Sequence, residues 1–193
     1  MLSTPKSSKI YSPFAWLLLS QSIVLFGTGI VFPFYIIFIK EVGADFSSFG
    51  IAYGLFLLGS VVSHKVVGDI SDVIGRKIFL LINSWGTSII FLFFPLVTTL
   101  TQVYILQLIL GVFGAMYKTG EKTIVADIID PKIRGKYIGT YHGLTSIFSA
   151  LAVIIGGYLI DLFTISIIFY IGSIVMFVSG FAILKISIHN KDR

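Results

Sequence analysis

The sequence predicts an all-α membrane protein whose chain crosses the bilayer six times. Three observations lead there. The 193 residues are 56% hydrophobic and only 12% charged, at a mean hydropathy of +0.99, whereas a soluble domain carries about 25% charged residues. The apolar residues fall into six runs of the roughly 20 residues that a helix needs to cross a hydrocarbon core of roughly 30 Å. The basic residues gather on alternate connectors. Runs of this length exclude barrel strands, which are about ten residues long and alternate in polarity. With no cysteine in the chain, disulfides and thiolate metal sites are excluded as well.

The six runs are Pro13–Ile39, Ser47–Val67, Ile78–Thr98, Gln102–Ala126, Lys136–Ile160 and Thr164–Leu184. Lys6 and Lys9 precede the first run. It is nonetheless far longer than the 7–15 apolar residues of a signal peptide, and no small-residue cleavage pattern follows it, so it reads as a span. Residues 1–12, rich in Ser, Lys and Pro, read as a disordered tail. Residues 13–184 form the bundle, and residues 185–193 a second tail.

Orientation follows from Lys and Arg. Of 14 such residues, all but Lys40 flank one set of connectors: the N-terminus, the link between spans 2 and 3, the link between spans 4 and 5, and the C-terminus. The positive-inside rule places that side, and both termini, in the cytoplasm. The net charge of +5 belongs to this asymmetry and gives no nucleic-acid signal. The opposite connectors, Lys40–Phe46, Thr99–Thr101 and Asp161–Phe163, are too short for an outer domain.

The link between spans 2 and 3 reads GDISDVIGRK, Gly68 to Lys77. Gly68 is expected to end span 2 and Gly75 to turn the chain into span 3, since glycine accepts backbone conformations that a Cβ resists. Arg76 and Lys77 stand at headgroup level. Asp72 gains nothing from the membrane, so it either pairs with a nearby Arg, faces the N-terminus of another helix, or is an incidental acid in a basic loop.

Gly68, Asp72, Gly75, Arg76 and Lys77, in this spacing between the second and third helices, resemble the signature loop of the major facilitator superfamily. A second match stands in the next link on the same side: Asp127, Pro131, Arg134, Gly135 and Gly139, in the order D-x-x-x-P-x-x-R-G-x-x-x-G, resemble that family's stretch joining helices 4 and 5. The resemblance covers the chain from span 1 to span 6. It implies an N-terminal six-helix bundle of two inverted three-helix repeats. It also implies a cytoplasmic charge network of Asp72, Arg76, Asp127 and Arg134 that holds two halves closed on the inside. Two departures argue against drug–proton antiport by the usual residues. Gln107 stands before Gly111 where many proton-driven members carry an Arg, and of the helix-5 motif G-P-x-x-G-G only Gly156 and Gly157 remain.

Polar residues inside spans are costly to insert and mark candidate paths. In span 4, Gln107, Gly111, Gly114, Lys118 and Glu121 share a helical face, and Lys118 and Glu121 can pair at i, i+3. Lys118 and Lys122 are equally able to snorkel to the surface. Gln21, Thr28 and Tyr35 line one face of span 1; His142, Thr145, Ser149, Ala152 and Gly156 line one of span 5. Gln21, Gln107, Lys118, Glu121 and His142 are the cavity or coupling candidates, His142 because an imidazole titrates near neutral pH. Thr28, Thr145 and Ser149 read as packing residues. Gly50 and Gly54 in span 2, and Gly135, Gly139 and Gly143 in span 5, carry small-residue spacing that allows close helix packing; the family resemblance, which puts helices 2 and 5 between the two halves, also implies a partner contact for these faces.

These features predict a secondary transporter unit that moves a small solute across the plasma membrane by alternating access. A family of two six-helix halves leaves this chain a partner short. The expected completion is a second copy or a separate C-terminal six-helix half. The rival expectation is a non-transporting assembly partner or a remnant. No metal-ligand set, nucleophile–base pair or phosphate loop appears, which argues against an enzyme and implies no cofactor.

Overall fold

A computed structural model describes the backbone of residues 7–43, 45–129 and 132–187, and their side chains from residue 13 onward except that of Asp72. Lipid gives a backbone amide no partner, so each crossing segment must satisfy its own N–H and C=O groups, and a helix does so internally. Accordingly the described residues form helices α1 (Ser7–Val31), α2 (Tyr35–Glu41), α3 (Phe46–Ile74), α4 (Arg76–Phe93), α5 (Leu100–Ile128), α6 (Arg134–Leu162) and α7 (Ser166–Leu184). α1 and α2 make one span, joined by the 3-10 turn Phe32–Phe34 at Pro33, which has no N–H to continue the ladder. The six segments long and apolar enough to cross a membrane are Pro13–Glu41, Phe46–Ser71, Arg76–Leu96, Leu100–Ile128, Arg134–Leu162 and Ser166–Leu184. They match the six runs read from sequence within a few residues at each end. The protein is a multi-pass membrane protein.

Helix ends depart from expectation at both extremes of the chain and in one loop. α1 begins at Ser7, ahead of Pro13, so part of the stretch read as a tail is helical. Residues 1–6 and 188–193 lie outside the described residues. Gly68 does not end span 2: α3 continues to Ile74, and Gly75, at φ +94°, is the single residue between α3 and α4. The apolar run stops at Val67, but nothing in Asp69–Asp72 stops a helix. Only the left-handed turn at Gly75, where a side chain would be strained, does so.

Elsewhere caps are explicit. Asp45 accepts from the N–H (2.9 Å) and hydroxyl (2.8 Å) of Ser48 at the start of α3. At the start of α5, Thr99 and Gln102 form a capping box, which satisfies amides that the first turn leaves free.

The helices pack as an open row in the order α3, α5, α4, α7, α1, α6. Exchanging α1/α2, α3, α4 for α5, α6, α7 reproduces the same order from the other end. With three spans per unit the second unit runs upside down, so the two are inverted repeats. At the centre of the row, Ser88 of α4 and Ser173 of α7 donate to each other's backbone carbonyls at 2.8 Å, their hydroxyls 3.1 Å apart. The core lies along the first span (α1 and α2), α4, α5 and α7, where the rings of Phe38 in α2, Phe91 in α4, Phe94 just after it and Phe169 in α7 interlock.

Lipid is as apolar as leucine, so shape decides association here more than burial does. α3 and α5 cross backbone to backbone. A Cβ on Gly59 would collide with the Leu108 carbonyl. One on Gly111 would collide with the Phe56 carbonyl and lie 2.9 Å from the Ser60 nitrogen. The mirrored pair, α1 and α6, meets through Gly29 against Ala152 and Gly156 against Phe34 and the Ile30 carbonyl.

The glycines read as helix-packing or partner-contact residues have no close neighbour among the described residues. Gly50, Gly54, Gly135, Gly139 and Gly143 have open space where a Cβ would be. They sit on the sides of α3 and α6 turned away from α5 and α1, at the two ends of the row.

Candidate functional site

The basic end of the bundle, where the Lys- and Arg-rich connectors lie, carries a linked set of polar contacts. Arg76, in the first turn of α4, donates to the carboxylate of Asp127 in the last turn of α5. Each charge alone sits at the wrong end of its own helix dipole, a cation at an N-terminus and an anion at a C-terminus. Each therefore offsets what is unfavourable in the other. Both are about one-third exposed, at 32% and 36%, which places the pair in the weak, hydrated class.

Neighbouring cations act as caps. Lys77 donates to the carbonyls of Leu184 and Ile186, both at 2.7 Å, at the end of α7. Arg134 donates to the carbonyls of Ala126 (3.1 Å) and Ile129 (3.4 Å) at the end of α5. Cations are favourable at helix C-termini, where carbonyls lack intrahelical donors. Of the predicted charge network, Arg76 and Asp127 therefore meet directly, while among the described contacts Arg134 engages backbone. The side chain of Asp72, and all of Pro131, lie outside the described residues.

Deeper in the span the predicted face of α5 divides. Gly111 is pressed against the α3 backbone, and Gly114 faces the ring of Phe56. Gln107 is buried and in hydrogen-bonding reach of the Tyr35 side chain, and among the described residues its Oε1 has no donor. Gln21 is buried too: its Nε2 lies 3.4 Å from the Ser20 hydroxyl, and its Oε1 has no donor. The anticipated pairing of Lys118 with Glu121 is absent among the described ion pairs. Glu121 instead accepts from the buried Tyr141 hydroxyl of α6, and Lys118 is exposed. This bond joins α5 and α6, which are not neighbours in the row.

The predicted stripe on α6 also divides. His142 is exposed, whereas Thr145, Ala152 and Gly156 are buried, Ala152 and Gly156 directly against the first span. Thr145 bonds back to the Tyr141 carbonyl at 2.8 Å, and Thr28 to that of Val24 at 3.0 Å, the local bonding of packed hydroxyls in helices.

Two contacts were not anticipated. Tyr141 carried no signal beyond being a polar aromatic in a span. His64 of α3 lies 3.4 Å from the hydroxyls of both Ser60 and Thr119; the i, i+4 spacing of Ser60 and His64 is visible in sequence, the partner on α5 is not. An apolar hollow of about 270 Å³ at the opposite end, lined by Phe93, Leu96, Val97, Gln102, Ile105 and Leu106, has its one amide committed to the α5 cap and lies away from this polar set.

Residues 17–193 match the family model described as Major Facilitator Superfamily. An uncharacterized MFS-type transporter, YitZ of Bacillus subtilis (strain 168), is 44% identical over 162 residues, which cover 84% of this chain and 99% of the relative. The multidrug resistance protein MdtG of Proteus mirabilis (strain HI4320) is 27% identical across 79% of this chain but only 39% of its own length. The class H tetracycline resistance protein of Pasteurella multocida is 28% identical across 70% of this chain and 34% of its own length. The chain thus spans well under half of these last two relatives.

Proposed function

We propose, from the premise that this chain belongs to the major facilitator superfamily and is a membrane transporter, that it is a half-size secondary transporter completed by a second six-helix bundle. It moves a small solute across the plasma membrane by alternating access, with both termini in the cytoplasm. One observation carries the half-size reading. The row of helices stays open between α3 and α6, and the small-residue faces of those helices meet nothing among the described residues. A helix face of glycines is suited to a second helix at close range. The YitZ similarity, which extends over nearly all of a relative of about this size, supports a bundle of six as a unit.

In this reading the cytoplasmic network of Arg76, Asp127, Arg134 and Asp72 is the inner latch. A latch released in every cycle must be weak, and a hydrated pair of this kind contributes less than about 1 kcal/mol. Gln21, Gln107, Lys118, Glu121 and His142 are the polar residues offered to the path. The two buried amide oxygens that have no donor among the described residues suit a solute with N–H or O–H groups, because such an acceptor costs about 1–3 kcal/mol when left alone.

With six spans per chain, two copies enter the bilayer in the same orientation, and a two-fold axis along the membrane normal regenerates the two-half arrangement. Native mass spectrometry from nanodiscs reads this directly. A dimer is the expected result, and it licenses solute-flux assays with Asp127→Asn and Glu121→Gln. A chain that remains monomeric, and does so beside every co-expressed six-helix partner, overturns the half-size transporter in favour of a non-transporting protein.

A further inference from the structure

We propose that the second bundle is another copy of this chain, with α3 of each copy laid antiparallel on α6 of the other and Asp69 paired with the partner's Lys136. This rests on the half-size reading above. It adds the identity of the second bundle and the register in which the two meet.

The two end helices of the row have bare outward faces. On α3, Gly54, Leu58, Val61, Lys65 and Asp69 recur at steps of three or four residues, so they share one side of the helix. It is the side away from α5, which α3 meets through Gly59. Leu58 and Val61 are 59% and 67% exposed. On α6, Lys136, Gly139, Gly143, Ile147 and Ile154 share the side away from the first span, and all five are exposed. Exposed apolar side chains suit lipid as well as protein. The charges carry more information. Asp69 and Lys136 are exposed and have no ion-pair partner among the described residues, and Asp69 does not take Lys65, one turn back on its own helix.

α3 runs toward the basic end of the bundle and α6 away from it. Two copies in the same orientation have three ways to bring these end faces together. α3 on α3 is a parallel contact about a two-fold axis, so each residue meets its own counterpart: Lys65 on Lys65 and Asp69 on Asp69. α6 on α6 sets Lys136 on Lys136. Like charges at contact distance repel. α3 on α6 is antiparallel and brings Asp69 to the partner's Lys136, where opposite charges meet. The two-fold axis makes that contact twice, so both open ends of the row close. Both helices rise about 1.5 Å per residue, and one matched pair therefore fixes the rest. With Asp69 level with the partner's Lys136, Val66 and Val62 are level with the partner's Gly139 and Gly143. Gly54 and Gly50 are level with the partner's Leu151 and Ile155. Each glycine of one helix thus has a bulky side chain of the other at its height, and nothing in its own chain occupies the space where its Cβ would be. Such ridges and hollows pack closely. In the two parallel contacts glycine meets glycine and bulk meets bulk.

The chain has no cysteine, so single-cysteine variants cross-link without background. Leu58 and Ile147 are level in this register and both exposed. Leu58→Cys and Ile147→Cys are placed in two separately tagged chains, co-expressed, and treated with a short bismaleimide. The Leu58→Cys chain should link to the Ile147→Cys chain, and neither to itself. By native mass spectrometry from nanodiscs, Asp69→Lys should weaken the dimer about tenfold, as an ion pair gives way to a like-charge contact. Adding Lys136→Asp to the same chain should restore it. Self-linking of either single variant, or a dimer indifferent to Asp69→Lys, overturns the inference and leaves a dimer of another geometry. Should Asp69→Lys fail to insert, the cross-links decide. A chain bound instead to a different six-helix protein overturns the second copy and leaves the half-size reading standing. A chain that is monomeric beside every partner overturns both.

Discussion

Gly111 on α5 and Gly139 on α6 belong to the same kind of pattern, small residues spaced three or four apart in an apolar span. Around Gly111 the α3 backbone is in contact, with the Phe56 carbonyl where a Cβ would go; around Gly139 there is open space among the described residues. The motif marks a surface to which another helix can come close. It does not say whether that helix is in the same chain. In α3 both situations occur on one helix: Gly59 is jammed against Leu108, while Gly50 and Gly54 are open. A membrane protein's small-residue faces thus divide into those consumed by its own fold and those left over, and only the second kind describes its partners.

Substitution tests this division most sharply where it predicts opposite signs. Gly111→Ala should destabilise the bundle by about 3 kcal/mol or more, because backbone rather than a flexible side chain must give way. Thermal unfolding in nanodiscs measures it, and an unchanged Tm would mean the α3–α5 crossing is looser than described. Gly139→Ala should do the reverse in the isolated chain, raising stability by about 0.5–1 kcal/mol, since alanine is the better helix former and meets open space. The same substitution should weaken any dimer that native mass spectrometry detects. A destabilised monomer would place an unrecognised neighbour on this face.

Charged contacts should matter less than glycines. Asp127→Asn removes the partner of Arg76 and should cost less than about 1 kcal/mol, with the difference fading as salt is raised; urea titration at two ionic strengths reads both. The smallest effect belongs to Asp45. Bonds from the Ser48 backbone and hydroxyl hold its carboxyl below the ordinary carboxylate range. A lowered folded-state pKa contributes stability above the unfolded value of about 3.9 and loses it as pH falls through the folded one. Tm should therefore drop slightly below about pH 4 in the parent, and the drop should shrink in Asp45→Asn.

How much of this was legible in the sequence follows from what the solvent enforces. The six spans were readable because lipid fixes both length and polarity, and the Arg76–Asp127 contact was foreshadowed by two loop motifs. The end of α3 was misjudged because the apolar run and the helix have different causes: lipid ends the run after Val67, whereas backbone geometry at Gly75 ends the helix. Lys77 was read as a headgroup residue; its bond to the end of α7 joins positions over a hundred residues apart. Periodicity shows which residues share a face, not what the face meets. That limit also hid the Glu121–Tyr141 bond and the reach of His64 to Thr119.

The two serines at the centre of the row have a consequence of their own. Where two copies of one structural unit meet across a symmetry axis, the residue on the axis faces its own counterpart. It must be able to bond with its own kind. A lone ammonium or carboxylate fails, because like meets like; a large ring fails for want of room. A hydroxyl both gives and takes a proton, and Ser88 and Ser173 do so reciprocally. Any three-helix segment that is to work when doubled and inverted needs a self-compatible group at that position. The requirement falls on the single unit before it ever meets its twin.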